Sequence, residues 1–256
     1  MFGLKQKQRQ KLREQPFPEH WNKILQENVA YFHRLPAADQ AELRGHIQIF
    51  LQEKKFVGCG GLEINDEIRV TIAAEACILL LHRKTDYYPT LNTIMVYPHH
   101  YYAPGNRVLP GGVVDETPQN RLGESWRRGP VILSWDDVNR SAHKHNDAHN
   151  VVFHEFAHQL DSESGNSNGA PLLPRRSMYS AWAQVLGEEY EHLISQLQHQ
   201  HKTDIDAYGA TNPAEFFAVI SEAFFETPRP LQRRHPALYE QLALFYQQDP
   251  AQLPSE

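Results

Sequence analysis

The segment VVFHEFAHQLD, Val151–Asp161, constrains the fold more tightly than any other stretch of this chain. Wound as a helix, each residue advances about 100° around the axis. Val151, His154, His158 and Asp161 then share one face, while Val152, Phe156 and Leu160 form a separate apolar face. A helix with such opposed faces lies between a hydrophobic core and something polar. Asn146 and Asp147 are good caps for such a helix beginning near Ala148.

The elements around it follow from periodicity. Trp21–Phe32 and Ala38–Gln52 space their apolar residues at helical intervals, with Pro36 between them, and a long helical candidate runs from about Asn65 to His82. TIMVYP (Thr93–Pro98) and VILSW (Val131–Trp135) are short, β-branched and aromatic, which predicts strands. The turn-forming residues between them, including LPGGVVDETPQNR, fit hairpins and surface loops. Helical spacing returns over Ala148–Leu160, Tyr179–Gln198, Pro213–Phe225 and Pro236–Gln247, with an exposed loop at Ser162–Pro171. Helices, a small sheet and helices again predict an α+β architecture. No clean linker interrupts it, so one domain over 1–256 is expected: a helical portion over about 1–85 and a portion carrying the site over about 86–256.

The formal net charge of -6 argues against a nucleic-acid protein, which would carry a basic surface. Cys59 and Cys77 are too few for a disulfide framework and are expected as buried thiols in a reducing compartment. The N-terminal stretch bears Lys5, Lys7, Arg9, Lys11 and Arg13 with no apolar run behind it, so a frayed, solvated end is expected rather than a secretory signal. VTIAAEACILLL (Val70–Leu81) is too short to span a bilayer and contains Glu75. These features predict a cytoplasmic protein.

His154 and His158, four residues apart, point the same way and can hold one metal ion between them. Glu155 lies one step round, where a general base acting on metal-activated water is wanted. Chance alone gives an HExxH match in about one such chain in twenty, so the context has to contribute. A catalytic zinc site takes three protein ligands. Downstream, Asn212 caps a helix with Pro213 as its first residue, placing Glu215 in the first turn and Glu222 two turns on. Glu215 is read either as the third ligand or as the capping-box partner of Asn212. Glu222 is read either as a ligand or as an ordinary exposed charge, although Phe216, Phe217, Val219, Ile220, Ala223 and Phe224 mark the helix for burial. Asp161 either bonds a ligand imidazole or a neighbouring loop, or simply ends the helix in solvent. Tyr208, from its local sequence, reads as a packing residue. His143, His145 and His149 read as loop residues.

HEFAHQLD followed by IDAYGATNPAEFFAVISEAFF resembles the Mlc titration factor A family of bacterial zinc peptidases. The likeness extends through EIRVTIAAEACILLL, GPVILSWDDV and ALYEQLALFYQQDP. A more distant similarity is to the catalytic domain of the lethal-factor toxin protease, which shares an HEFxH helix and a later Tyr-x6-Glu-Phe-Phe segment. The resemblance implies a zincin-like fold with a small mixed sheet, zinc on His154, His158 and Glu215, and Glu155 as catalytic base. It implies that Tyr208 steadies an oxyanion, that Glu222 is merely structural, and that Val131–Ser134 is a sheet edge able to pair with a peptide substrate. It further implies aminopeptidase activity, for which Glu163, Asp136 and Asp137 are acids that could meet a free amine, and binding of the Mlc repressor of glucose-uptake genes. The apolar stripe of Leu238, Leu242 and Phe245 is a docking face for that partner or part of the core. Some family members carry a histidine upstream of the strand that can occupy the metal's open position; GGVVDETPQNR has none, and Asp115 is its closest ligand-type residue.

Overall fold

A run with no polar stripe makes the centre of the molecule. In the computed structural model, which describes residues 2–84, 86–99, 107–108, 114–115, 129–143 and 148–254, helix α5 (Asp66–Ile78) is buried on every side from Val70 to Ile78. Its cap is Asn65, whose side chain accepts from the Ile68 N–H. The α-helix stops at Ile78, short of His82: the Leu80 and Leu81 N–H groups bond three residues back, to Cys77 and Ile78, and His82 then takes a left-handed φ of 62°.

Helix α4 (Ala37–Glu53) crosses α5, burying Leu43, Ile47, Phe50 and Leu51. Pro36 sits at its cap position, as expected from a residue that cannot extend a helix backwards. The segment Trp21–Phe32, expected as one helix, is two: α2 (Glu19–Asn28) and α3 (Ala30–Arg34), separated by Val29 at φ -117°.

The N-terminal stretch is a correction. It forms helix α1 (Phe2–Arg13) docked on α4, not a frayed end. Lys5, Arg9 and Arg13 fall four residues apart on one face. Arg9 grips Glu53 with Nε and an Nη at 2.7 and 2.8 Å and lies 4.6 Å over the Tyr87 ring. Lys5 reaches Asp86 at 3.1 Å, and Arg13 donates to the Tyr87 hydroxyl at 2.7 Å. A bidentate Arg–carboxylate pair, half-covered by an aromatic ring, orders such a helix in a way isolated surface charges do not.

Strands β1 (Lys55–Gly58), β2 (Thr93–Tyr97) and β5 (Val131–Ser134) form a parallel sheet in the order β1-β2-β5. Parallel neighbours need crossovers, and α5 supplies the one between β1 and β2. Among the described residues the expected mixed sheet is therefore corrected: the antiparallel pairing is a separate ribbon of β3 (Arg107–Val108) and β4 (Val114–Asp115), inside the stretch expected to hold hairpins. Among the described residues, β5 pairs only with β2. It ends at Ser134, one residue earlier than VILSW predicts, because Trp135 opens helix α6 (Trp135–His143).

The C-terminal part is helical, with α7 (Val151–Ser162), α8 (Met178–Gln198), α9 (Pro213–Glu226), α10 (Pro228–Arg234) and α11 (Pro236–Tyr246). One hydrophobic cluster joins both parts, from Leu25 and Phe50 through Phe156 and Phe225 to Phe245. Leu238, Leu242 and Phe245 are fully buried in it, so that stripe is core and offers no docking face. Cys77 is buried and Cys59 half-buried, both free. Among the described residues, no helix is long and apolar enough to cross a membrane.

Candidate metal centre

Two helices carry the polar residues that converge on one cluster, and each is started by an asparagine. Asn150 accepts from the N–H groups of Val152 and Phe153 at 3.1 and 3.0 Å, so α7 begins at Val151 and not near Ala148. Ala148 has φ 62°, outside helical space. The caps expected at Asn146 and Asp147 lie outside the described residues. Likewise Asn212 accepts from the Ala214 and Glu215 N–H groups at 2.9 and 3.0 Å, with Pro213 in the first turn. The helices pack through aromatic rings, Phe153 lying 5.1 Å from Phe225.

The Glu215 carboxylate turns away from its own cap and meets the two imidazoles. Its Oε2 lies 3.1 Å from His154 Nε2 and 3.2 Å from His158 Nε2, and the two ring nitrogens are 3.2 Å apart. Two facing ring nitrogens and a carboxylate oxygen thus converge on one point, as ligand atoms do around a metal ion. An ion bound tetrahedrally at about 2.0–2.1 Å sets its ligand atoms roughly 3.3 Å apart. The three edges therefore fit a first-row divalent cation, and the N,N,O donor set suits zinc.

Behind the triangle lies Glu222, which is buried. Its Oε1 is 2.7 Å from His154 Nδ1, and its Oε2 accepts the Asn150 backbone N–H at 2.7 Å. A carboxylate there takes the Nδ1–H and leaves the Nε2 lone pair facing His158 and Glu215, the tautomer a ligand needs. Glu222 is thus not an exposed charge: it is buried and bonded to His154 and the Asn150 backbone. Asn150 extends the layer by donating its amide to Glu75 at 2.7 Å and Glu226 at 3.1 Å, both buried.

Charge inside the site is strongly coupled. Burial opposes protonation of His154, but Glu222 and Glu215 outweigh it and hold the imidazole well above its ordinary value. The Glu215 carboxyl, raised by burial, is carried below the usual carboxylate range by the two histidines. Half-buried Glu155 moves the other way: burial raises its carboxyl against the attraction of His154 and His158. A base with a raised pKa accepts protons more readily near neutrality. Tyr208 sits in the short 3-10 turn Ala207–Ala210, its ring 5.9 Å from that of His154.

The family model described as Glucose-regulated metallo-peptidase M90 matches residues 4–247. The chain belongs to this metallo-peptidase family. An uncharacterized protein of Synechocystis is 43% identical over 238 residues, 93% of this chain and 86% of its own. Proteins named Mlc titration factor A are similar too: that of Salmonella arizonae is 32% identical over 85% of this chain and 87% of its own length. That of Klebsiella pneumoniae is 33% identical over 85% and 82%. The metallo-peptidase family supplies what the triangle alone leaves open, a metal cofactor and peptide substrates as the coarse chemistry.

Other residues singled out by the sequence are placed differently. Asp161 is fully buried and bonds a loop, its Oδ2 accepting the Gly169 N–H at 2.8 Å, so the solvated helix end is set aside. His143 ends α6 with Nδ1 2.7 Å from its own Asn139 carbonyl, and His149 pairs with Asp206 at 3.7 Å; His145 lies outside the described residues. The side chain of Asp115 also lies outside them. Glu163, at the far end of α7, faces Arg83 electrostatically, whereas Asp136 and Asp137 follow directly on β5. A second group of Asp39, Glu42 and His82 brings three ligand-type atoms within 4.8 Å of one another.

Proposed function

We propose that this metallo-peptidase is a zinc-dependent peptidase of the zincin type, with His154, His158 and Glu215 as the ligands. The observation that carries this reading is the 3.1–3.2 Å triangle with Glu222 fixing the His154 tautomer. A zinc ion held there supplies a Lewis acid that makes water acidic near neutral pH. Glu155 takes the proton from the attacking water and passes it to the leaving amine. Its raised carboxyl supports this role. Tyr208, beside His154, steadies the oxyanion that develops on the substrate carbonyl. The outer side of β5 aligns an extended peptide by backbone pairing.

An aminopeptidase is the specific form we infer, with Asp136 or Asp137, just past the end of β5, meeting the free amine. The relatives named Mlc titration factor A support a second role, binding of the Mlc repressor as a partner. Glu155→Gln tests the chemistry: zinc content stays and turnover of an unblocked peptide falls by about 10²–10⁴-fold. Turnover at the wild-type rate would sink the assigned base. Retained capture of the repressor by the same variant separates the two roles, and N-terminally blocked peptides cleaved as fast as free ones would rule out aminopeptidase action.

A further inference from the structure

The loop after α7 touches three elements of the site through one residue, Gly169. Its N–H donates to Asp161 on α7, one turn past His158. Its carbonyl accepts the Trp182 indole N–H from α8 at 2.9 Å. Its Cα presses on α9: a Cβ at position 169 would lie 2.4 Å from the carbonyl oxygen of Pro213 and 3.0 Å from its carbon. Gly169 also has φ 75°, so both its conformation and its surroundings require glycine.

Pro213 is the first residue of α9, and Glu215 stands two residues on. Its carbonyl belongs to the helix's own hydrogen-bond ladder and cannot yield without moving the first turn. Trp182 packs 5.9 Å from Phe217 on α9, so α8 backs the same contact. We infer that Gly169 is a positioning residue that sets the separation of α7 from the start of α9, and through it the distance of Glu215 from the His154–His158 pair. This rests on the zinc reading of that triangle. Ligand atoms held by two separate helices lose affinity when either helix shifts by a fraction of an ångström, as happens when supporting residues around metal sites are changed.

Gly165 provides an internal control. It lies in the same loop at φ 88°, with nothing within 4 Å of a Cβ. Gly165→Ala and Gly169→Ala therefore share the left-handed backbone cost, and only the second pushes on α9. The experiment measures zinc affinity by chelator competition and thermal unfolding without metal for both variants and the wild type. Both variants are expected to unfold earlier; Gly165→Ala keeps wild-type zinc affinity, and Gly169→Ala loses about ten- to hundredfold. Should Gly169→Ala fail to fold, Asp161→Ala removes the loop's anchor without adding an atom. It is expected to weaken zinc by about tenfold, and Asp161→Asn, which keeps an acceptor oxygen, restores most of it. Folded Gly169→Ala, or Asp161→Ala, with unchanged zinc affinity would overturn the inference. A wild-type protein that holds no zinc would overturn the metal reading first.

Discussion

Two clusters in this molecule gather histidine and carboxylate, and they differ in what completes them. At His154, His158 and Glu215 the site is inside the protein, the His154 side chain being 7% exposed. His154 Nδ1 is already engaged by Glu222, so Nε2 is committed to the triangle. At Asp39, Glu42 and His82 the histidine side chain is 38% exposed. There His82 Nδ1 donates to the Gln247 carbonyl at 2.9 Å, and Nε2 lies 2.9 Å from Asp39 and 3.9 Å from Glu42. Glu42 meanwhile accepts the His82 backbone N–H and lies 3.1 Å from His46. Burial works against charging His82, but Asp39, the Gln247 carbonyl and Glu42 raise it, so one proton satisfies the second cluster. At His154, His158 and Glu215 the three facing atoms instead converge on one point, at the mutual spacing that ligand atoms keep around a bound cation. Ligand-type residues within reach are common; burial, that spacing and a second carboxylate on His154 Nδ1 set the first cluster apart.

The sharpest way to break the comparison is to remove one ligand from each cluster. Glu215→Ala should cost about 3 kcal/mol of zinc binding, roughly two orders of magnitude, read by chelator competition. Next comes the support behind the first cluster. Glu222→Gln keeps the shape and removes the charge, and should weaken zinc by about tenfold or somewhat more, with the fold retained.

A third prediction concerns the buried side of the same cluster. Burial pushes the Glu75 carboxyl up to about 8, from an ordinary value of 4.5 expected in the unfolded chain. Folding then takes up a proton between those two values. The stabilisation is complete below about 4.5 and is lost as pH rises to about 8. Glu75→Gln should remove that slope and stabilise the protein by about 1–2 kcal/mol at pH 9, measured by urea unfolding across pH. The smallest effect belongs to the second cluster: Asp39→Asn should change stability by about 1 kcal/mol or less and leave zinc affinity untouched. Zinc loss in that variant would erase the distinction drawn between the clusters.

The legible parts of this protein were those written in local periodicity. The faces of α7, the Asn212–Pro213 start of α9 and the two core strands follow from residue order alone, and so does the His154–His158 pair. Residue order leaves Glu215 open beside Glu222, and the family resemblance selects it. What escaped was long-range pairing. Glu222 lies 68 residues from His154, and nothing near it in sequence says that its helix turns it inward to the imidazole. Residue order does not single out Asn150, since Asn146 and Asp147 offer equally good cap chemistry, and the left-handed Ala148 decides against an early start. Helix α1 carried a usable signal, cations at four-residue spacing, but its partners Glu53 and Asp86 are distant in sequence.

The central claim is that one ion sits where two helices bring three lone pairs together. Anomalous diffraction at the zinc edge from crystals of the wild-type protein tests it most directly. A single strong peak bounded by His154 Nε2, His158 Nε2 and the Glu215 carboxylate is expected, with none beside His82. A strongest peak at Asp39, Glu42 and His82, or no density between the two imidazoles, would contradict it.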